Sequence, residues 1–233
     1  MKRSVSFLFL LPIVSLWALA CGDGGAGGGG ERSPVDLAEA FCGPAMARVD
    51  SFMATLAEGE WDEERYGGTA VVGSVANLSG LGPADASYTI SLQHQQYVNF
   101  MTLVEFGEDL EARPYLARSW EFSEDRSELT FHLRDDVYWH DGAQTTAQDV
   151  AFTFLTLNHP ESPFSNPGWF LPYRPGDQGV EVVDSFTVRF RFQPHADPLE
   201  LWRSVAILPE HLLRGVPRGE LATHPFSGTC PIG

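Results

Sequence analysis

A mixed α/β chain is predicted by three features of the sequence. Two pairs of short runs alternate apolar and polar residues on either side of a turn, the mark of antiparallel hairpins. Several longer stretches repeat apolar residues every three or four positions, the mark of helices with one buried face. The strands and helices follow neither the regular alternation of a doubly wound fold nor any repeat period, which leaves an α/β or α+β architecture.

The chain opens on a basic start, Met1-Lys2-Arg3, and an apolar run from Val5 to Ala20 that is too short to span a bilayer comfortably and ends in small residues. Residues 1–20 are therefore expected to be a secretory signal. Ala18-Leu19-Ala20-Cys21 resembles the bacterial lipobox, in which the cysteine is acylated and becomes the new N-terminus, so Cys21 is the candidate lipidation site. An ordinary signal with a chance cysteine is the alternative. Residues 21–33 are dominated by glycine and read as a flexible tether.

With leader and tether set aside, about two hundred residues remain, enough for a real core. Aromatic residues are abundant, so burial can offset chain entropy. The formal net charge of -16 argues against nucleic acid and against anionic membrane surfaces, which need clustered Lys and Arg. Contact with a membrane is expected through the lipid anchor alone. Cys42 and Cys230 could pair in an oxidising compartment or stay as free or buried thiols, because sequence does not fix the distance between them.

From Pro34 to Glu58, Leu37, Ala38, Phe41, Met46, Val49, Phe52, Met53 and Leu56 recur at helical spacing, with Gly43-Pro44 expected to interrupt. This segment either packs somewhere or, as a helical region over 34–66, is a spacer. Thr69 to Val75 is a continuous apolar run that suits a buried strand, broken by Asn77 to Pro83. Leu92, Tyr97, Val98, Met101 and Val104 predict a helix over 91–105, ended by Gly107.

Trp120–Phe122 and Leu129–Arg134 flank an acidic turn and read as a hairpin, the second run alternating Leu129, Phe131 and Leu133 against Thr130, His132 and Arg134. Thr146-x-x-Asp149 opens a helix with Val150, Phe154 and Leu157 on one face, Asp149 replacing the usual Glu of a capping box, and Pro160 stops it. A long Pro- and Gly-rich loop over 160–179 carries Trp169, Phe170 and Tyr173. Val180–Val183 and Phe186–Phe192 form a second hairpin around Asp184-Ser185.

The segments Leu116-Ala117-Arg118-Ser119-Trp120-Glu121-Phe122, Leu129-Thr130-Phe131-His132-Leu133-Arg134-Asp135, Val137-Tyr138-Trp139-His140-Asp141-Gly142 and Asp149-Val150-Ala151-Phe152-Thr153-Phe154 follow one another in an order that resembles the family 5 extracellular solute-binding proteins, the dipeptide-, oligopeptide- and nickel-binding group of ABC importers. Gly68 to Leu81, Val182-Val183-Asp184, Thr187-Val188-Arg189-Phe190 and Ile207-Leu208-Pro209-Glu210-His211-Leu212-Leu213 also look like that family. Arg126 and Asp136 depart from it, standing where its turns usually carry glycine.

The resemblance implies a periplasmic-binding-protein-like fold of two lobes, of which residues 67–233 are the N-terminal part, with an inserted subdomain over about 91–203. Pro231-Ile232-Gly233 matches the opening of a family motif, so the resemblance places the second lobe beyond Gly233 and one wall of the cleft within these residues. It further implies a substrate-binding protein at the periplasmic or extracytoplasmic face of the envelope, with a peptide or small solute as ligand and ABC permease subunits as partners. A surface lipoprotein or sensor that reuses the fold is the alternative function. No cofactor and no enzymatic activity are implied.

Trp139-His140-Asp141-Gly142 invites a catalytic reading, but adjacent side chains on an extended segment point to opposite faces, so a structural turn is expected, with Trp139 packing. The seven histidines are scattered, and no two share helical i,i+4 spacing, so no metal site is expected. Arg189 and Arg191 share the polar face of a strand, where a solvated face outweighs a ligand clamp. Asn77, Leu78 and Ser79, after the first strand, are the candidate ligand-binding residues, because ligands of open α/β sheets bind beyond strand ends. Trp169 and Phe170 are candidates to cover the pocket, a packing cluster being the other option.

Overall fold

The structure is a computed structural model that describes residues 34–57, 99–162, 179–192 and 205–233. Signal, lipobox, tether, the strand over 69–75, Asn77, Leu78, Ser79, Trp169, Phe170 and Tyr173 all lie outside the described residues.

Both expected hairpins are present and join into one antiparallel sheet. Strands β3 (Ala117–Phe122) and β4 (Glu128–Leu133) form the first, β5 (Val180–Asp184) and β6 (Thr187–Arg191) the second. The order across the sheet is β3-β4-β6-β5. Register places Leu129 opposite Phe190 and Phe131 opposite Val188, so the apolar residues of both inner strands share one face. The Asp184 carboxylate accepts the Phe186 backbone N–H (2.8 Å) and closes the second turn.

In the first turn Arg126 has φ 54°, the left-handed conformation that favours glycine. Its guanidinium lies 4.5 Å from the centroid of the Phe122 ring, which offsets part of that cost. Asp125 accepts the Ser123 hydroxyl (2.7 Å) and the Ser127 N–H (3.1 Å), and the two serines hold its carboxyl down to about 2. Asp136, the other departure from glycine, has no positive φ.

Helix α2 (Ala147–Leu157) covers the apolar face. Its Asp149 carboxylate accepts the Thr146 N–H (2.8 Å), the capping interaction expected from Thr146-x-x-Asp149. Phe154 meets Phe190 edge-on at 4.8 Å between centroids, and Phe190 meets Phe131 edge-on at 5.7 Å. All three rings are fully buried with Leu129, Leu133 and Val188. The opposite face of the sheet is an ion-pair lattice: Arg191 pairs with Glu128 (3.1 Å) and Glu181, and Arg189 with Glu181 (3.4 Å). These partly exposed arginines are engaged by the sheet's own carboxylates, as a solvated face requires.

The expected helix over 91–105 is corrected at its C-terminal end. Val104–Phe106 is strand β1, paired antiparallel with β2 (Ala112–Pro114), Val104 opposite Pro114. Met101 and Val104, three apart, fit a helical period, but Val104, which is β-branched, and the aromatic Phe106 gain a ladder partner across the turn at Gly107.

The expected interruption at Gly43-Pro44 is corrected too: α1 runs unbroken from Pro34 to Ala57 with Pro44 inside. Ala40, Gly43 and Pro44 all lie on the exposed side, so water can take the carbonyl bond that proline cannot make. Of the two roles open to this segment, the contacts are those of a packing partner. Ala45 is buried, Phe41 packs edge-on against His224 at 4.5 Å, and Cys42 is disulfide-bonded to Cys230, their Cα atoms 5.9 Å apart.

The remaining described segment carries α3 (Glu210–Leu213), a 3-10 turn (Arg218–Glu220) and α4 (Pro225–Gly228). Ile207, Leu208, Leu213, Leu221, Phe226 and Ile232 extend the core from α2 to Phe100 and Leu103. None of the described helices is long and apolar enough to cross a membrane.

Candidate functional site

The Val137–Ala143 turn organises the site. Trp139 is buried, its backbone N–H donating to the Ala143 carbonyl (2.8 Å), and Gly142 takes φ 82° with its N–H on the Trp139 carbonyl (2.9 Å). A Cβ at Gly142 would lie 3.0 Å from the Phe52 ring of α1, so that helix approaches the turn closely.

His140 and Asp141 diverge, as the extended backbone dictates. The His140 backbone N–H donates to the Gly233 carbonyl (2.8 Å), and its ring Nδ1 accepts the Gly233 N–H (3.2 Å). Burial pushes the His140 pKa down, with Asp141 opposing. The ring is therefore neutral at neutral pH and carries its proton on Nε2.

Asp141 faces the other way and joins three parts of the chain. Its carboxylate accepts from Arg48 Nε of α1 (3.1 Å), from His211 Nε2 of α3 (3.1 Å) and from the Ala143 N–H (3.3 Å). Burial pushes this carboxyl up, but the His211 and Ala143 hydrogen bonds, with Arg48 beside them, outweigh it and hold it below the ordinary carboxylate value.

A depressed folded-state pKa means stability that is present above the unfolded value, ~3.9, and is lost as pH falls through the folded value. Asp141→Asn is accordingly expected to melt below wild type at neutral pH, with the gap closing below about pH 4. A gap of the same size in acid and at neutral pH would show that the charge of Asp141 contributes nothing.

On the other side of the turn lies a pocket of about 180 Å³, lined by Asn99, Phe100, Met101, Tyr115, Leu116, Val137, Tyr138, Trp139, His140, Thr145, Ile207 and Gly233. Aromatic and aliphatic groups form most of its wall. Burial, with the Glu105 carboxylate adding to it, raises the Tyr115 pKa, so that phenol stays protonated and able to donate. The arrangement suits noncovalent binding. His140 has its Nδ1 occupied by a backbone N–H, and Asp141 is committed to Arg48 and His211, so the His-Asp neighbours do not form a base and its orienter.

Of the residues expected at a ligand site, none falls among the described residues. The pocket and the Asp141 cluster were visible in sequence only as a turn motif. Arg48 and His211 stand 93 and 70 residues from Asp141, and no local spacing announces such a contact. Among the described residues no group of three or more His, Cys, Asp or Glu could hold a metal ion.

Comparison with known proteins fits this frame. The family model described as bacterial extracellular solute-binding proteins, family 5 (middle), matches residues 111–228. A Brucella ovis protein assigned as an ABC transporter peptide-binding protein is 32% identical over 119 residues, 51% of this chain and 22% of the relative. The dipeptide-binding protein of Escherichia coli is 41% identical over 95 residues, 34% of this chain and 17% of that one. Among solved structures, the oligopeptide-binding protein AppA of Bacillus subtilis, in complex with a nonapeptide, superposes with a TM-score of 0.62 at 22% identity, over 69% of this chain and 31% of its own. That superposition shows the fold. The matched regions thus span less than a third of each of these relatives. With more than half of its length inside the family model and the solute-binding fold around it, the chain belongs to the bacterial extracellular solute-binding proteins of family 5.

Proposed function

We propose that the protein is the solute-binding component of an ABC importer, working at the extracytoplasmic face of the envelope, with peptides or a related small solute as its ligand. The match of the family model to residues 111–228 carries this reading. The names of the Brucella and Escherichia relatives favour peptides. The Cys42–Cys230 disulfide is consistent with an oxidising compartment outside the cytoplasm.

In this reading no bond is made or broken, and the protein is not an enzyme. An extended peptide is held by main-chain hydrogen bonds in the manner of an added strand, permissive pockets accept its side chains, and closure of two lobes removes it from water before transfer to the permease. Asn77, Leu78 and Ser79 are proposed at the ligand, and Trp169 and Phe170 over it. Calorimetric titration of the full gene product with a di- to pentapeptide library is the test. Micromolar or tighter binding is expected, and an empty result across the library would sink the peptide reading.

Attachment to the membrane is proposed through a lipid on Cys21. Labelled palmitate is expected to enter the wild-type protein and not Cys21→Ser, which should move from the membrane fraction to the soluble one. Membrane retention of the variant would overturn the anchor.

A further inference from the structure

Helix α1 lies wholly outside the residues matched by the family model, yet it is fastened at two points, one inside that match at Asp141 and one just beyond it at Cys230. Cys42 is bonded to Cys230, across a sequence separation of 188, and Phe41 packs on His224 beside that bond. Two turns of helix further on, Arg48 donates to the buried carboxylate of Asp141, and Phe52 lies against Gly142. The two segments so gripped, Trp139–Ala143 and Cys230–Gly233, are themselves joined by a pair of hydrogen bonds between His140 and Gly233, and both residues line the pocket.

We propose that α1 is a redox-fastened brace for the pocket wall, in which Cys42–Cys230 and Arg48–Asp141 hold together two of the segments that line it. Each fastening joins α1 to a different one of them, so the helix acts as a splint across their contact. Beyond these fastenings the helix packs through half-buried side chains, Phe41 and Val49 against the core and Phe52 toward Tyr138. Val35, Leu37, Met46 and Met53 are exposed, and Ala45 is its one fully buried apolar side chain among the described residues. Reduction by a dithiol transfers two electrons and two protons to the bridge, leaves thiols at Cys42 and Cys230 and converts the dithiol to its own disulfide. The splint then keeps the Arg48 contact and its packing but loses its covalent fastening to the Cys230–Gly233 segment. This inference does not depend on which solute the protein carries.

Hydrogen exchange followed residue by residue, in the oxidised and the dithiol-reduced protein, tests it. The amides of His140 and Gly233 are expected to exchange at least about tenfold faster on reduction, relative to the sheet amides of Leu133 and Phe192. The double variant C42S/C230S should reproduce the reduced pattern without reductant. R48A, with the disulfide intact, should speed exchange at Gly142 and Ala143 and leave the sheet unchanged. A common acceleration at every amide would make the disulfide a general staple of the fold and overturn the proposal. Unchanged exchange at His140 and Gly233 in the reduced protein would overturn it as well.

Discussion

Phe190→Ala is expected to cost about 3–5 kcal/mol of stability, the range for removing a buried aromatic side chain. The ring is fully buried near the end of β6, where three elements meet. It stands edge-on to Phe154 of α2 and to Phe131 of β4, and opposite Leu129 across the ladder. A cavity here cannot close easily, because Phe131 is fixed by its strand register and Phe154 by a helix whose N-terminus is capped. Urea denaturation should show the loss as a lower midpoint at unchanged slope. Val183→Ala on β5, a residue that is 45% exposed, serves as control and should lose well under about 1 kcal/mol. A Phe190→Ala loss as small as that control would mean that α2 does not pack on the sheet as described.

The same three rings show why part of the fold was legible in the sequence. Leu129, Phe131 and Leu133, and then Val188 and Phe190, alternate with polar residues because each strand has one buried face, and a period of two is visible within six residues. Turn chemistry at Asp184-Ser185 and the cap at Thr146 and Asp149 are local as well. What was misread depended on distant partners. Val104 belongs to a strand only because Pro114 lies opposite it, and α1 continues through Pro44 with fastenings on both sides, at Cys42 and at Arg48. The Asp141 cluster has the same character. The turn at Asp141-Gly142 is a short-range property, whereas the arrival of Arg48 and His211 at its carboxylate is decided by the packing of α1 and α3.

Asp149→Ala is expected to lose about 2–5 kcal/mol, chiefly through the backbone donors it leaves unpaired. The carboxylate is buried at the start of α2, where one oxygen accepts the Thr146 N–H and hydroxyl (2.8 and 3.2 Å) and the other the Glu210 N–H (2.8 Å). It caps its own helix and also receives the first residue of α3. Thr153, one turn along, completes the junction by accepting the Leu208 N–H (2.8 Å). Removing the carboxylate strands two backbone donors in a place water reaches poorly, at about 1–3 kcal/mol each, less whatever relaxation allows. Burial pushes the Asp149 carboxyl up against the pull of the Thr146 and Glu210 N–H groups, so the ionised form carries a desolvation cost at neutral pH and the measured loss is a net figure. Asp149→Asn separates the two contributions. It keeps one oxygen as acceptor but turns an NH2 toward the other backbone N–H, so its loss should fall between wild type and Asp149→Ala. Thermal melts of the three proteins decide the matter. Equal stability of the Asn and Ala variants would mean that a single oxygen cannot hold either donor, and that both contacts depend on the carboxylate's charge.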